Sequence, residues 1–218
     1  RQQIGPGTWV GSLSSISRTS GYWVKVDNSG TLSLFGATPT ESTTVYELNS
    51  GANLISFPYE GSSSITDAIP DAAEAEFNGI IGQGVAASQI SAGTWVGSLS
   101  QLQGTKGYWA KVNSGVSFSF NEPTGSMRST ESAYSSTYEF TQSMEQAFYF
   151  VEDIEGAEYG DWILAYNNDQ LVGSRQWMGA YTDIPAMGYD GSFETSDFCN
   201  EGDCLLYTSD AADEERGV

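Results

Sequence analysis

Apolar and polar positions alternate along much of this chain with a period of two. Tyr22, Val24 and Val26 are interleaved with Trp23 and Lys25, and Tyr108, Ala110 and Val112 with Trp109 and Lys111. Such alternation marks a strand with one buried face. Residues 31–34 read as a partner strand, with Asn28, Ser29 and Gly30 as the turn, so the pattern predicts a hairpin. Residues 107–112 and 116–120 repeat the arrangement, with Phe118 and Phe120 where Leu32 and Leu34 stood. Further strands are predicted at 44–48 and 52–58, joined by Asn49, Ser50 and Gly51, and within 78–89 around Gly82 and Gly84. One helical pattern interrupts them. Ser64 can cap it with Asp67 three residues on, Ile65, Ala68 and Ile69 form its apolar stripe, and Pro70 limits it. Beyond residue 137, strands are predicted at 138–140, 146–151, 161–166 and 170–177, the last two joined by Asn167, Asn168 and Asp169 as a hairpin. The fold class that follows is mainly β: tandem small β-rich modules, sandwich- or barrel-like antiparallel sheets, with one short helix in the complete repeat.

The first of these patterns belongs to an internal repeat. Gly7-Thr8-Trp9-Val10-Gly11-Ser12-Leu13-Ser14 returns 86 residues later as Gly93-Thr94-Trp95-Val96-Gly97-Ser98-Leu99-Ser100. The same offset relates Gly21-Tyr22-Trp23 to Gly107-Tyr108-Trp109. A repeat of that length is a small domain rather than a solenoid turn. The organisation expected is a partial, C-terminal half-repeat at 1–36, a linker at 37–42 and a complete repeat at 43–123. A Ser/Thr-rich linker follows at 124–136, then a truncated sandwich-like module at 137–203. The chain thus opens partway into a repeat.

Composition narrows the function. The chain has 28 acidic and 8 basic residues and a net charge of −20. Such a surface repels phosphate backbones, which argues against nucleic acid as a partner. It suits a salty exterior that screens self-repulsion, and equally an ordinary solvated surface. No apolar run is long enough to insert in a membrane. With no histidine, the usual general base, the Ser-His-Asp triad and histidine metal sites are all excluded. No catalytic residue is assigned, and the chain is not expected to be an enzyme.

The binding candidates come in two groups. Trp23 with Lys25, and Trp109 with Lys111, lie on the strand face opposite Tyr22 and Tyr108; an exposed indole there could stack on a sugar. The commoner outcome is a Trp packed on a neighbouring strand under a lysine stem. Trp9 and Trp95 are expected in the core. Asp183, Asp190, Glu194, Asp197 and Asp203 crowd a loop-rich end, where hard oxygen ligands could hold calcium, although no EF-hand spacing is present. Asp190-Gly191 is also an ordinary turn. No other cofactor is implied. The acidic pairs Glu74 with Glu76 and Glu152 with Asp153 could act as acid and base only if a cleft opposed them. Arg175 reads as the partner of Asp161.

Two stretches carry a family resemblance. Gly51-Ala52-Asn53-Leu54-Ile55-Ser56-Phe57-Pro58, followed by Gly107-Tyr108-Trp109-Ala110-Lys111-Val112, resembles an extracellular repeat of bacterial secreted and surface proteins. Its pattern is Gly-Trp-Asn-Leu-Ile-Ser with a later Gly-Lys-Gly-Tyr-Trp-Val-Lys; Ala52 departs from its tryptophan, and Thr19-Ser20-Gly21 lacks the lysine that Lys106 supplies. Gly160-Asp161, Val172-Gly173-Ser174-Arg175 and Pro185-Ala186-Met187-Gly188-Tyr189-Asp190-Gly191 resemble a second sandwich-like module of such proteins. Residues 204–218, beginning Cys204-Leu205-Leu206-Tyr207-Thr208-Ser209-Asp210, resemble a translated sequencing adapter of a metagenomic fragment. That makes 204–218 an expected non-native tail and leaves Cys199 as the native cysteine.

The resemblance implies an extracellular or cell-surface location and a structural or adhesive role. The partners implied are neighbouring modules of the same polypeptide and surface glycans or polysaccharide. The alternative is a carbohydrate-binding accessory region of a secreted polysaccharide-active enzyme.

Overall fold

The computed structural model describes residues 2–26, 28, 30–33, 35–36, 38–123, 137–203 and 205–210. The linker expected at 124–136, Leu34 of the expected strand at 31–34, Cys204 and the tail beyond 210 lie outside them. The architecture is mainly β, with small antiparallel sheets and two helices of four residues each. Among the described residues no helix is long and apolar enough to cross a membrane.

In chain order the strands are β1 (Gln2–Gly5), β2 (Thr8–Val10), β3 (Tyr46–Leu48), β4 (Gly51–Ser56), β5 (Ser62–Ser64), β6 (Phe77–Ile81), β7 (Ala86–Ser91), β8 (Thr94–Val96), β9 (Gln101–Gln103), β10 (Gly107–Val112) and β11 (Val116–Phe118). The helices α1 (Ile65–Ala68) and α2 (Asp71–Glu74) fall between β5 and β6. Strand β10 is the axis of the repeat, because β4 and β6 pair along its two edges in a sheet of order β4-β10-β6-β7-β8. Its alternation is the one the sequence carries: Tyr108, Ala110 and Val112 are buried, opposite Ile55, Ile80 and Phe77. Helix α1 starts where expected, the Ser64 hydroxyl accepting the Asp67 N–H at 3.1 Å. Pro70 ends that helix and also opens α2, since a missing N–H is harmless at a helix start.

The residues of the repeat motif work as fold devices. Gly51 turns the chain at φ +97°. Asn53 then ties the turn down, accepting the Asn49 N–H at 3.0 Å and donating to the Asn49 carbonyl at 2.7 Å. The Tyr108 hydroxyl accepts the Gln103 N–H at 2.8 Å. Beneath the sheet Tyr46, Phe57, Phe118 and Phe120 pack edge to face, Tyr46 and Phe120 at 4.9 Å between centroids. Such aromatic pairs contribute about 1 kcal/mol each beyond their buried area.

Three expectations are corrected. Residues 107–112 and 116–120 do not form a hairpin; β11 pairs with β3 instead, because both edges of β10 are already taken. Residues 21–26 are not a strand. The partners of β10 are β4 and β6, and no described strand flanks residues 21–26 in the same way. Gly21 instead docks on the free edge of β4, donating its N–H to the Leu54 carbonyl at 3.0 Å. Trp9, expected in the core, is 48% exposed.

The other module contains β12 (Gln146–Val151), β13 (Trp162–Asn167), β14 (Gln170–Gln176), β15 (Thr182–Met187) and β16 (Leu206–Asp210). Strand β12 pairs with β15, and β13 sits between β14 and β16. The β13–β14 hairpin closes over Asn168, at φ +53°, and Asp169, as its turn residues predict. At Gly173 the sheets touch: a Cβ there would lie 1.7 Å from the Pro185 carbonyl oxygen. Ile163, Val172, Trp177, Ile184, Met187 and Phe198 form the core. Residues 138–140, expected as a strand, are irregular; the Tyr138 carbonyl accepts from the Ser174 hydroxyl at 2.7 Å rather than from a ladder N–H. Strand β16, within the stretch that resembles adapter sequence, adds to the open edge of β13. An open edge accepts any extended segment, so this pairing says nothing of its origin.

Candidate functional site

The most elaborate polar arrangement joins the two modules. Its centre is Asp183, on a strand whose six residues are all buried. The turn between β6 and β7 and the end of β8 bring three donors from the repeat to its carboxylate. These are the Ser98 N–H at 2.7 Å, the Ser98 hydroxyl at 2.7 Å and the Ala86 N–H at 3.2 Å. Arg175, one strand away on β14, supplies the counter-charge, Nη2 to Oδ2 at 3.2 Å. The same guanidinium donates from Nε to the Asp183 carbonyl at 2.9 Å and from Nη2 to the Gly84 carbonyl at 2.6 Å. Each ion thus satisfies both modules. Gln146 adds a bond from its side-chain amide to the Gly82 carbonyl at 3.3 Å.

Gly97 makes this approach feasible. It sits at φ +110°, and a Cβ there would lie 2.4 Å from the Ala86 oxygen and 2.8 Å from the Phe150 ring. Burial pushes the Asp183 carboxyl above the ordinary carboxylate value, and Arg175 and the Ser98 donors pull it only partly back. A charge so placed is held by matched partners, not by solvent.

Two clefts border the junction. One, of about 800 Å³, is lined by Glu139, Gln142, Trp162, Arg175 and Tyr181. The other, of about 770 Å³, is lined by Tyr22, Trp23, Gln83, Gln101, Gln103 and Lys106. Ser98 borders both.

The residues singled out in the sequence disperse. Trp109 and Lys111 do share the outer face of β10, where Trp109 lies between Leu54 of β4 and Ile81 of β6. That flanking is aliphatic, and Trp109 is half-buried. Trp23 and Lys25 lie off any strand. The Trp23 indole N–H is buried with no hydrogen-bond partner among the described residues. The Lys25 ammonium reaches the other module, 3.9 Å from Asp190 and 3.8 Å from Glu194.

Of the five carboxylates considered for calcium, Asp183 belongs to the junction and Asp203 accepts the Asn200 N–H at 2.7 Å. Asp190 organises its own loop, accepting the Ser192 N–H at 3.0 Å and the Thr195 hydroxyl at 2.7 Å. Burial alone would raise its pKa, but these bonds together hold the carboxyl well below the usual range. Glu194 and Asp197 are exposed. Among the described residues, no three acidic or cysteine side chains are grouped to hold a metal.

The acidic pairs are engaged separately. Glu74 accepts the Trp95 indole N–H at 2.6 Å, and Glu76 accepts the Ser114 hydroxyl at 2.5 Å. Glu152 and Asp153 are exposed. Arg175 pairs with Asp183 rather than Asp161, whose carboxylate caps the Glu158 N–H at 2.7 Å. Burial and nearby Asp203 raise the Cys199 thiol, which disfavours the reactive thiolate.

The junction's donors were not singled out by the sequence. Ser98 lies in the repeat motif, but Ser12 lies there too, and nothing local distinguishes a serine that binds a carboxylate 85 residues away. No protein-family model, curated protein or solved structure matches the chain.

Proposed function

We propose that this chain is a non-catalytic structural or adhesive segment of a secreted or surface-attached bacterial multi-module protein. The observation that carries the reading is the buried junction. A protein whose task is to hold binding surfaces at fixed spacing needs modules that do not swivel, and here Asp183 and Arg175 of one module each hydrogen-bond to the other, so parting the modules would leave buried charges uncompensated. The acidic surface and the extracellular-repeat motifs support the same reading. The partners are then neighbouring modules and surface glycans. The test is surface labelling of intact producing cells with antibody to residues 43–203. The expected result is a signal that external protease removes; signal only after permeabilisation overturns the reading.

A second reading, a carbohydrate-binding accessory region, is supported by the Trp23 indole N–H, which has no hydrogen-bond partner among the described residues, beside a cleft lined by Gln83, Gln101 and Gln103. Amide and indole donors suit sugar hydroxyls. A glycan array probed with the full chain tests it: binding lost in Trp23→Ala supports it, and an array without hits rejects it.

A further inference from the structure

The two copies of the repeat differ in what they bury. Strands β1 and β2 pair as Gln2↔Val10, Gln3↔Trp9 and Gly5↔Thr8, and β7 and β8 pair as Ser88↔Val96, Gln89↔Trp95 and Ser91↔Thr94, the same register with the same irregularity. Gly11 and Gly97 hold φ of +116° and +110°. The tyrosine clasp also recurs, Ser17 N–H to the Tyr22 hydroxyl at 2.5 Å and Gln103 N–H to the Tyr108 hydroxyl at 2.8 Å. The pairing of β1 with β2 and the tyrosine clasp are therefore already those of the second copy, while residues 21–26 are not yet a strand.

Among the described residues, several of the first copy's apolar side chains are exposed where their counterparts are buried. Ile16 is 79% exposed and its counterpart Leu102 1%; Val26 is 66% exposed and Val112 2%; Leu32 is 84% exposed and Phe118 6%. Leu13 and Val24 are exposed where Leu99 and Ala110 are buried. In the second copy the cover comes from upstream. Phe77 lies opposite Val112 and Ile80 opposite Ala110. Tyr46 stacks on Phe118 at 5.9 Å and Phe77 meets it edge to face at 5.7 Å, and Ser63 of β5 lies opposite Leu102. Large apolar side chains exposed in such number within one short segment are a mark of an interaction surface.

We propose that Ile16, Val24, Val26 and Leu32 form a docking surface for a half-repeat of the kind built by residues 46–81, supplied in the same polypeptide ahead of Gln2. Docking is by strand addition. The partner provides two strands that flank residues 22–26 as β4 and β6 flank β10, and main-chain pairing gives affinity while the side-chain pockets give register. The proposal concerns folding complementarity and is independent of where the protein resides.

The test prefixes the full chain with a second copy of residues 43–86 joined to Arg1, which restores the repeat spacing, and follows amide hydrogen exchange. The expected result is that residues 22–26 slow by about a thousandfold or more, toward the rates of residues 108–112. A second prefix carrying Phe77→Asp and Ile80→Asp in the added copy should leave them fast. The proposal is overturned if residues 22–26 exchange as fast with the first prefix as without it, whether or not residues 43–123 stay protected. It is equally overturned if both prefixes protect alike.

Discussion

The carboxylate of Asp183 on β15 accepts both the main-chain N–H and the hydroxyl of Ser98, each at 2.7 Å, across 85 residues of sequence. The two bonds converge from a different module, and Arg175 balances the charge from behind. Removing the carboxylate strands a buried guanidinium and two main-chain donors. Asp183→Ala is expected to destabilise the chain by about 3–5 kcal/mol, measured by urea unfolding. Asp183→Asn keeps the shape and one acceptor and should lose less. A loss under about 1 kcal/mol in Asp183→Ala would mean the junction is open in solution.

Close backbone approach makes a second prediction. The Cβ of Gly173→Ala would be driven into the Pro185 carbonyl, and β14 cannot retreat without pulling Arg175 from its partners. A destabilisation of about 3 kcal/mol or more is expected. Gly191→Ala meets nothing within 4 Å but must hold φ near +86°, so it should lose only about 1 kcal/mol. Thermal unfolding of the two variants side by side separates overlap from backbone strain.

The tyrosine clasp tests the two copies against each other. Tyr108→Phe leaves the Gln103 N–H without its acceptor beside the core and should destabilise by about 1–2 kcal/mol. Tyr22→Phe removes the same bond from an exposed segment and should stay within about 0.5 kcal/mol. Equal effects would show that the first copy is as well packed as the second.

The two buried aspartates give opposite pH dependences. Asp190 has a depressed folded-state pKa, so its stabilisation is complete above the ordinary Asp value of about 4 and is lost as the pH falls below it. Asp183 has a raised one, so across the window above about 4 the native state holds the proton more tightly, and its contribution falls as pH rises. Urea unfolding at pH 7 and pH 3 should therefore show a smaller acid loss in Asp190→Asn than in the parent chain. An unchanged acid loss would remove Asp190 from the account.

Local chemistry was the legible part of the sequence. Ser64 and Asp67 announced a cap, Asn168 and Asp169 a hairpin, and the alternation over Tyr108, Ala110 and Val112 a half-buried strand. What failed depended on who sits beside whom. Residues 21–26 carry the same alternation as β10 but lack the neighbours that turn a pattern into a sheet. Strand β11 was assigned to β10 because it follows it in sequence, whereas the edges of β10 were already filled by β4 and β6. Arg175 was matched to Asp161 across the hairpin expected between 161–166 and 170–177. Its true partner, eight residues on, lies on the next strand and faces the other module. A long-range polar socket leaves no periodic trace, so Ser98 could not be told from Ser12.

The most direct test of the module junction is the exchange rate of the Ser98 amide in the full chain. Its acceptor is the Asp183 carboxylate, so its protection reports that contact. The expected result is a protected Ser98 amide that Asp183→Ala speeds by about a hundredfold or more, with residues 108–112 little changed. A Ser98 amide that exchanges freely in the parent chain, or one indifferent to Asp183→Ala, would contradict the junction.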